Sequence, residues 1–275
     1  MKKILLAFDG GNYSTAALEF AARLNERQPI FLTGAFLPQV DYANLWSYSR
    51  GGKSPGVYIP LVEDEDAEIV QQNIERFRSF CIHHHIEFRL HKDFFDFAIP
   101  ELKKETRFAD LLIISSETFY GHLATDEPNE YLQEALHSVE CPVLVLPEHF
   151  EFPQSSILAY DGSASSVYAI KQFAYLLPEL AGNETILAYA GKEDEPLPEA
   201  DNIQELTVRH FSNLNILHLQ ADQKKYFAEW LNDKNAPVLV CGSYGRSAFS
   251  RLFKKSFING VISNHQVPVF IAHRN

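Results

Sequence analysis

A short stretch near the end of the chain has the residue types of a phosphate-binding loop. Gly242 and Gly245 follow the apolar run Val238–Cys241, and Ser256 stands where a further helix is predicted to begin. Glycines can present backbone amides in positive-φ conformations. A helix amino terminus adds free amides and a partial positive charge, to which a serine contributes a hydroxyl donor. The pattern is typical of a phosphate site, and the alternative is a solvated basic loop before a capped helix.

The charge of this stretch contrasts with that of the whole chain. The 275 residues carry a net charge of −12, whereas Arg246, Arg251, Lys254 and Lys255 place four cations within ten residues. So acidic a chain repels nucleic-acid backbones and anionic lipid, so neither nucleic acid nor a membrane is an expected partner. Three cysteines without CxxC spacing indicate reduced thiols, and no apolar run reaches the roughly 18 residues of a membrane span. We therefore expect a soluble, cytoplasmic protein.

The chain contains two copies of one sequence pattern. ILLAFDGG near the start aligns with ILAYDGSA when Asp9 is placed on Asp161, and CPVLVLPE aligns with VPVFIAHR when Pro142 is placed on Pro268. Self-similarity of this kind indicates a repeated structural unit. The offset is 152 residues at the start (161 − 9) and 126 at the end (268 − 142), so the first copy has 26 additional residues (152 − 126).

The additional residues mark an insertion in the first of two predicted domains. We assign them to Gln39–Asp64, which is rich in glycine, proline and tyrosine and has no steady period. Its aromatic residues Tyr42, Trp46, Tyr48 and Tyr58 could form a lid or a partner surface. The predicted domains are residues 1–150 and residues 151–275, with the boundary near Glu148–Ser156.

Each copy predicts five strands that alternate with helices. This alternation favours right-handed crossovers, hence an α/β fold of two tandem doubly wound, Rossmann-like domains, each a five-stranded parallel sheet with helices on both faces. Ligands of such sheets bind at the carboxyl ends of the strands, where the strand order reverses. In the second copy the predicted strands are Ile157–Tyr160, Thr185–Tyr189, Asn215–Leu219, Val238–Cys241 and Val269–Ala272, and the predicted helices include Ala164–Leu177, Asp222–Asn232 and Ser256–Asn264.

The combination of motifs resembles the universal stress protein family, in particular its tandem two-domain members. The motifs are the repeated DG(S/G) after the first strand, G-x-x-G after the fourth, a serine some ten residues later and a closing PVxx strand. The resemblance covers nearly the whole chain except the insertion. It implies a stress-response regulator whose closing strands pair the domains, either within one chain as a pseudo-dimer or between chains as a homodimer.

The resemblance also implies the roles of individual residues. Members that bind ATP have the pattern G-x2-G-x9-G-(S/T), in which Gly242, Gly245 and Ser256 match and Lys255 replaces the third glycine. By this resemblance Asp161 faces the adenosine, although its carboxylate could instead cap the next helix. The side chain of Lys255 either obstructs the phosphate or binds it as a point charge. The residues implied for ATP, with Mg²⁺ as its companion, are Asp161, Ala188, Tyr189, Gly242, Gly245, Lys255, Ser256 and Phe257.

The first copy departs further from the nucleotide-binding pattern. Ser115 and Thr118 occupy the places of the two glycines, although Asp9 remains after the first strand. Acidic residues replace the cations of the following loop: Glu117, Asp126 and Glu127. Carboxylates beside a triphosphate oppose binding, so we predict a structural or partner-binding half that holds no nucleotide.

Three classes of function are consistent with these observations. The first is a nucleotide-binding regulator, not an enzyme, with slow ATP hydrolysis at most, because no nucleophile–base spacing is evident. The second is an interaction or scaffold protein of the same fold that binds no ATP. The third, an ATP-dependent ligase, would need a second substrate site for which the sequence gives no motif. Two isolated features have alternatives of their own: Cys241 is redox-sensitive or simply buried, and His83, His84 and His85 favour a helix terminus over a metal site.

Overall fold

The computed structural model describes residues 1–37, 64–92, 98–121, 130–189, 195–219, 227–242, 260–262, 264 and 267–273. The predicted insertion, apart from Asp64, lies outside these residues, and Asp64 already begins a helix. The strands are Lys2–Phe8 (β1), Ile30–Phe36 (β2), Glu87–Lys92 (β3), Leu111–Ser115 (β4), Val143–Leu146 (β5), Ser155–Tyr160 (β6), Glu184–Tyr189 (β7), Asn213–His218 (β8), Pro237–Cys241 (β9) and Val269–Ile271 (β10).

The strands form one sheet in the order β3-β2-β1-β4-β5-β10-β9-β6-β7-β8. Each half has five parallel strands, and its order reverses between the first and fourth strands, β1 and β4 or β6 and β9. The fold-class prediction is therefore confirmed. The five strands predicted for the second half are present, with ends that differ from the prediction by at most two residues.

The hydrogen-bond register of the two halves agrees with the sequence repeat. Ile4 pairs with Leu111 in the first half, and Ser156 pairs with Val238 in the second. Since Ile4 and Ser156 are equivalent in the repeat, residues after the fourth strands correspond at an offset of 127 (238 − 111). Ser115 therefore occupies the place of Gly242, as the sequence alignment predicted.

Helices cover both faces of the sheet and bury two apolar cores. The helices are Thr15–Arg27 (α1), Asp64–His83 (α2), Ala98–Thr106 (α3), Glu130–Ser138 (α4), Ala164–Leu176 (α5), Pro178–Ala181 (α6), Ala200–His210 (α7) and Phe227–Asn232 (α8), and residues 260–262 are also helical. One core lies beneath α1, α2, α5, α6 and α7, and the other lies beneath α3, α4 and α8. Strands of the sheet that are continuous apolar runs, such as β4 and β9, are buried along their whole length, as sheets covered on both faces require.

Within the described helices, no segment is both long enough and apolar enough to cross a membrane. The predicted helix Ala164–Leu177 ends one residue earlier than expected, at Leu176. Of the predicted helix Asp222–Asn232, the described part is α8. Most of the helix predicted over Ser256–Asn264 lies outside the described residues.

The two halves are joined by antiparallel pairing of their closing strands. Val143, Leu144 and Val145 of β5 pair with Ile271, Phe270 and Val269 of β10, respectively. The within-chain alternative of the sequence prediction is therefore the one found. Both closing strands are bonded on both sides, β5 to β4 and β10, and β10 to β5 and β9. Because this single pairing is antiparallel, the carboxyl ends of the two sets of strands lie at opposite edges of the sheet.

The segment between the halves, residues 147–154, packs onto α1. The ring of Phe20 lies 6.1 Å from that of Phe150 and 5.1 Å from that of Phe152. The guanidinium of Arg23 lies 5.2 Å from the ring centroid of Phe152. From the end of β5 to the start of β6 the chain passes two strands, about 14 Å at the usual spacing, which a segment of this length spans easily.

A lysine of the first half binds the second half directly. The Lys2 ammonium donates to the Leu176 carbonyl at 2.6 Å and lies 3.5 Å from the Glu179 carboxylate. The Lys2 side chain is 16% exposed and that of Glu179 is 8% exposed. The other Glu179 oxygen, Oε1, is buried and has no hydrogen-bond partner in the part of the chain that the structure describes. Lys2 is therefore the cation that compensates this buried carboxylate at the junction of the halves.

We predict that Lys2→Met lowers the free energy of unfolding by about 1–3 kcal/mol, because it leaves a buried carboxylate without its cation. Lys3→Met is the matched control, since the Lys3 ammonium forms no ion pair with the described residues. Urea denaturation measures both. Glu179→Gln in the Lys2→Met background is expected to restore part of the loss, and equal effects of Lys2→Met and Lys3→Met would contradict the assignment.

Candidate functional site

Adjacent strands of the second half bring four of the predicted site residues to one edge of the sheet. Asp161 follows β6, Ala188 and Tyr189 end β7, and Gly242 follows β9. The strands β7, β6 and β9 are neighbours, and the order reverses between β6 and β9, where a doubly wound sheet forms its crevice. The other predicted residues lie outside the described residues: Gly245, Lys255, Ser256 and Phe257.

Asp161 does not cap helix α5. The cap is Ser163, whose hydroxyl accepts a hydrogen bond from the Ser166 amide at 3.1 Å. Asp161 Oδ1 instead accepts the Ser163 amide at 2.9 Å and so tightens the turn, which Gly162 completes at φ +79°. Asp161 is partly exposed, and its Oδ2 accepts no hydrogen bond from the residues that the structure describes. One carboxylate oxygen thus remains available at the crevice.

Gly242 is needed for a close helix approach and not for a positive φ, so this part of the sequence prediction was wrong. A Cβ at position 242 would lie 2.4 Å from both Ser165 C and Ser166 N, in the first turn of α5. The φ of Gly242 lies outside the left-handed region. The absent side chain therefore lets the amino terminus of α5 touch the end of β9.

The side chains of Ala188 and Tyr189 point to opposite faces of the sheet. Ala188 belongs to the same apolar core as Ala159, its neighbour on β6, so small side chains stand on this face at the ends of both strands. Tyr189 lies in the other core, with its ring 6.5 Å from that of Tyr160. Both residues are buried, and the Tyr189 carbonyl accepts the Leu219 amide at 2.8 Å.

Carboxylates surround the tyrosines on the second face. The Tyr160 hydroxyl donates to the Pro198 carbonyl at 2.7 Å. Burial raises the pKa of Tyr160, and the charges of Glu199 and Asp161 raise it further. Burial likewise raises the pKa of Tyr189, with Glu195 and Asp161 contributing. This end of the crevice is thus electronegative, which suits a neutral group such as a nucleoside better than a phosphate.

The equivalent carboxylate of the first half is fully used by its own chain. Asp9 is 4% exposed. Its Oδ1 accepts the Asn12 amide at 2.7 Å, while Oδ2 accepts Asn12 Nδ2 at 2.6 Å and the Tyr120 amide at 2.9 Å. Because Asn12 holds the turn, α1 begins only after Ser14, its cap, one helical turn later in the repeat than α5 begins.

Tyr120 spans the first-half crevice from the first strand to the second. Its amide binds Asp9 after β1, and its hydroxyl donates to the Leu37 carbonyl after β2. The side chain is 1% exposed, and its ring lies 4.9 Å from that of Tyr131. Burial and the charge of Asp9 raise the pKa of Tyr120, so the hydroxyl remains a donor. Its φ of +52° is unusual for a side-chain-bearing residue.

In the loop after β4, backbone amides that could otherwise bind a phosphate are bound by a side chain of the same loop. The Ser115 hydroxyl accepts the Glu117 amide at 3.2 Å and the Thr118 amide at 3.1 Å. Glu117 Oε1 accepts the Glu148 amide at 2.8 Å, which places an acidic side chain beside the same loop. A glycine at position 115 could not supply the hydroxyl. The serine that replaces Gly242 therefore satisfies within the chain what the sequence pattern reserves for a ligand.

Sequence reasoning identified Ser115 as a departure but missed Tyr120. By the strand register Tyr120 corresponds to Ser247, a residue outside the described ones. The signal that could have indicated a filled crevice was an aromatic residue, five positions after the fourth strand, where the second copy has a serine.

Comparison with solved structures identifies the fold. A universal stress protein from Archaeoglobus fulgidus DSM 4304 superposes with a TM-score of 0.70 at 16% sequence identity, over 100% of this chain and 97% of that one. The chain has the universal stress protein fold. No protein-family model matches the sequence, and no curated protein matches it.

Two other structures match about half of the chain. A universal stress protein in complex with cAMP covers 54% of this chain and 98% of its own, at 13% identity and a TM-score of 0.30. A hypothetical protein covers 52% of this chain and 93% of its own, at 14% identity and a TM-score of 0.31. At these TM-scores neither carries an argument about this chain.

The three cysteines of this universal stress protein fold are free thiols, and all are buried. Cys81 and Cys241 are 0% and 4% exposed, and Cys141 is 9% exposed. Burial raises the pKa of each thiol to about 12. For Cys241 the structure therefore favours the alternative of a buried small apolar residue. In the described part of the chain, no group of three or more histidine, cysteine or acidic side chains could hold a metal ion.

We expect Gly242→Ala to lower the free energy of unfolding by about 1–3 kcal/mol, because the added Cβ forces α5 away from β9. Gly182→Ala is the matched control, since Gly182 also directly follows a secondary-structure element, but a Cβ there meets no described atom within 4 Å, at a φ of −80°. Thermal denaturation without any ligand measures both. If Gly242→Ala is as mild as Gly182→Ala, the close approach is not the reason for the glycine.

The native protein is expected to leave a thiol reagent unreacted at pH 8, because its three thiols are buried and protonated. All three should react once the chain is unfolded in guanidinium chloride. Absorbance of the released chromophore counts them. Rapid reaction of one thiol in the native state would reopen a redox role for that cysteine.

Proposed function

We propose that the chain is a tandem member of the universal stress protein family and a cytoplasmic stress-response regulator that binds one adenine nucleotide. The first domain is residues 1–150 and the second is residues 151–275. The nucleotide, ATP accompanied by Mg²⁺, is bound by the second domain alone. The observation that carries this proposal is the difference between two equivalent crevices, one of which is filled by its own chain.

The described residues of the second crevice fit a nucleoside. Asp161 would offer the ribose hydroxyls the carboxylate oxygen that no described residue binds, and the base would lie on the face of Ala159 and Ala188, whose side chains are small. By the resemblance to the family, backbone atoms near Ala188 and Tyr189 would contact that base; the Tyr189 carbonyl already accepts the Leu219 amide at 2.8 Å. The carboxylates near Tyr160 and Tyr189 make this end of the crevice electronegative, which suits the neutral end of a nucleotide. On sequence grounds the phosphates would therefore extend from Asp161 toward Gly245 and the cations of residues 246–255.

The phosphate end of the proposed site is formed by Gly245, Lys255, Ser256 and Phe257, on sequence grounds. Lys255, in place of a glycine, adds a positive charge to a chain of net charge −12. We propose that its ammonium binds the phosphates, because cations near position 255 are otherwise unexplained in an acidic protein. Catalysis is not part of the proposal: the nucleotide is a regulatory ligand, hydrolysed slowly at most.

The pairing of β5 with β10 supports a pseudo-dimer within one chain. A homodimer would have to use another surface, because both closing strands are bonded on both sides. Protein partners of the regulator would then bind the second domain differently with and without nucleotide, while the surface of the closed first domain would stay the same.

Calorimetric titration with ATP in the presence of Mg²⁺ tests the proposal. We expect one site per chain, lost on Gly245→Val, because a side chain there would obstruct the phosphates. Thr118→Val is the matched control at the equivalent position of the first half and should leave the titration unchanged. At 100 times the dissociation constant, ATP should raise the free energy of unfolding by about 2.7 kcal/mol.

Two outcomes would contradict this function. Absence of both heat and thermal stabilisation at millimolar ATP would favour the interaction or scaffold protein of the same fold. Lys255→Gly separates the two roles of the lysine: weaker ATP binding supports phosphate contact, whereas much tighter binding shows that the lysine obstructs the site.

A further inference from the structure

The strand register makes the contacts of Tyr120 comparable with those proposed for a nucleoside. Ala7 pairs with Ala35 in the first half as Ala159 pairs with Ala188 in the second. Asp9 therefore corresponds to Asp161, and Leu37 corresponds to the residue after Tyr189. These are the two places, carboxylate and second-strand backbone, between which an adenosine would lie.

Tyr120 binds at both places. It donates its amide to Asp9 Oδ2 and its hydroxyl to the Leu37 carbonyl, so one residue satisfies the acceptors of both strand ends. Its ring lies in the apolar core that contains Ala7 and Ala35, the counterparts of the small side chains in the second crevice. The position and chemistry of this side chain are those of a planar aromatic molecule with one hydrogen-bond donor at its edge.

The backbone of Tyr120 is held in a conformation that residues with side chains seldom adopt, at φ +52°. Such a conformation persists where surrounding contacts determine it. Here those contacts are the hydrogen bonds at both ends of the residue and the rings of Phe119 and Tyr131, at 4.6 and 4.9 Å. The contacts that hold this backbone conformation are therefore the same ones that keep the Tyr120 side chain in the crevice.

We propose that Tyr120 is a built-in occupant of a binding site in the first half, whose ligand class is a small planar aromatic molecule with a hydrogen-bond donor. Removal of the side chain opens this site to an external molecule of the same chemistry. The proposal concerns the first half and holds whether or not the second half binds ATP.

The test uses the full chain with Tyr120→Ala and p-cresol, which reproduces the tyrosine side chain. Millimolar p-cresol should raise the Tm of this variant by several degrees and leave the wild-type Tm unchanged. Toluene, which has the ring but no hydroxyl, should raise it less. Tyr131→Ala is the matched control, because it removes a neighbouring tyrosine that is only partly buried, and p-cresol should not restore its Tm.

Three results would overturn the proposal: equal effects of p-cresol on wild type and variant, equal restoration of Tyr131→Ala, or no restoration of a folded Tyr120→Ala. If Tyr120→Ala folds only in the presence of p-cresol, the proposal is supported. Adenosine is the second probe of the ligand class. One more adenosine per chain bound by the variant than by the wild type would extend the class to nucleosides, and failure of ATP binding in the second half would leave the p-cresol result intact.

If Tyr120→Ala does not fold under either condition, Tyr120→Phe decides. This variant keeps the ring and the backbone amide but lacks the hydroxyl. Carbon-13 NMR should then show a change in the Leu37 carbonyl shift, with the Tyr120 amide still protected from exchange by Asp9. An unchanged Leu37 carbonyl shift would show that the hydroxyl does not occupy the crevice as proposed.

Discussion

The three residue pairs between β5 and β10 determine how the rest of the molecule is arranged. They join two five-stranded parallel sheets into one sheet of ten strands and make the closing strands interior ones. Because this pairing is antiparallel, the crevices of the halves open at opposite edges of the sheet. A ligand in one crevice could not contact the other crevice. A substitution that closes the crevice of one half therefore removes no contact from the crevice of the other half.

The two crevices show two ways to satisfy the same polar groups. A strand end followed by a turn leaves amides and a carboxylate that need partners. In the first half Asn12, Tyr120 and the Ser115 hydroxyl supply those partners, and the result is a closed site. In the second half one Asp161 oxygen has no partner among the described residues, and Gly242 lets the amino terminus of α5 lie close to the strand end. A ligand is the partner that such an arrangement favours.

Sequence patterns predicted the sheet well because most of its strands are continuous apolar runs that occur in both copies. Alignment of the two copies also paired Ser115 with Gly242, as the strand register does. The roles of single residues were harder to predict. The glycine pair was interpreted through its access to positive φ, but Gly242 does not adopt one, and a Cβ there would lie 2.4 Å from helix α5, a tertiary contact that no local pattern encodes. Ser163 and not Asp161 caps α5. Both side chains are suitable caps, so the sequence alone could not distinguish them, and the residue at which the helix begins determines which one is used. Tyr120 was missed because its two partners are 111 and 83 residues away in sequence.

The central claim is that one half of this chain is closed by its own residues while the other is open to a nucleotide. A crystal structure of the full chain grown with ATP and Mg²⁺ tests it most directly. The account predicts nucleotide density in the second crevice alone, with the ribose at Asp161, and Tyr120 in place against Asp9. Nucleotide density beside Asp9 with Tyr120 displaced, or a nucleotide bound away from both strand edges, would contradict it.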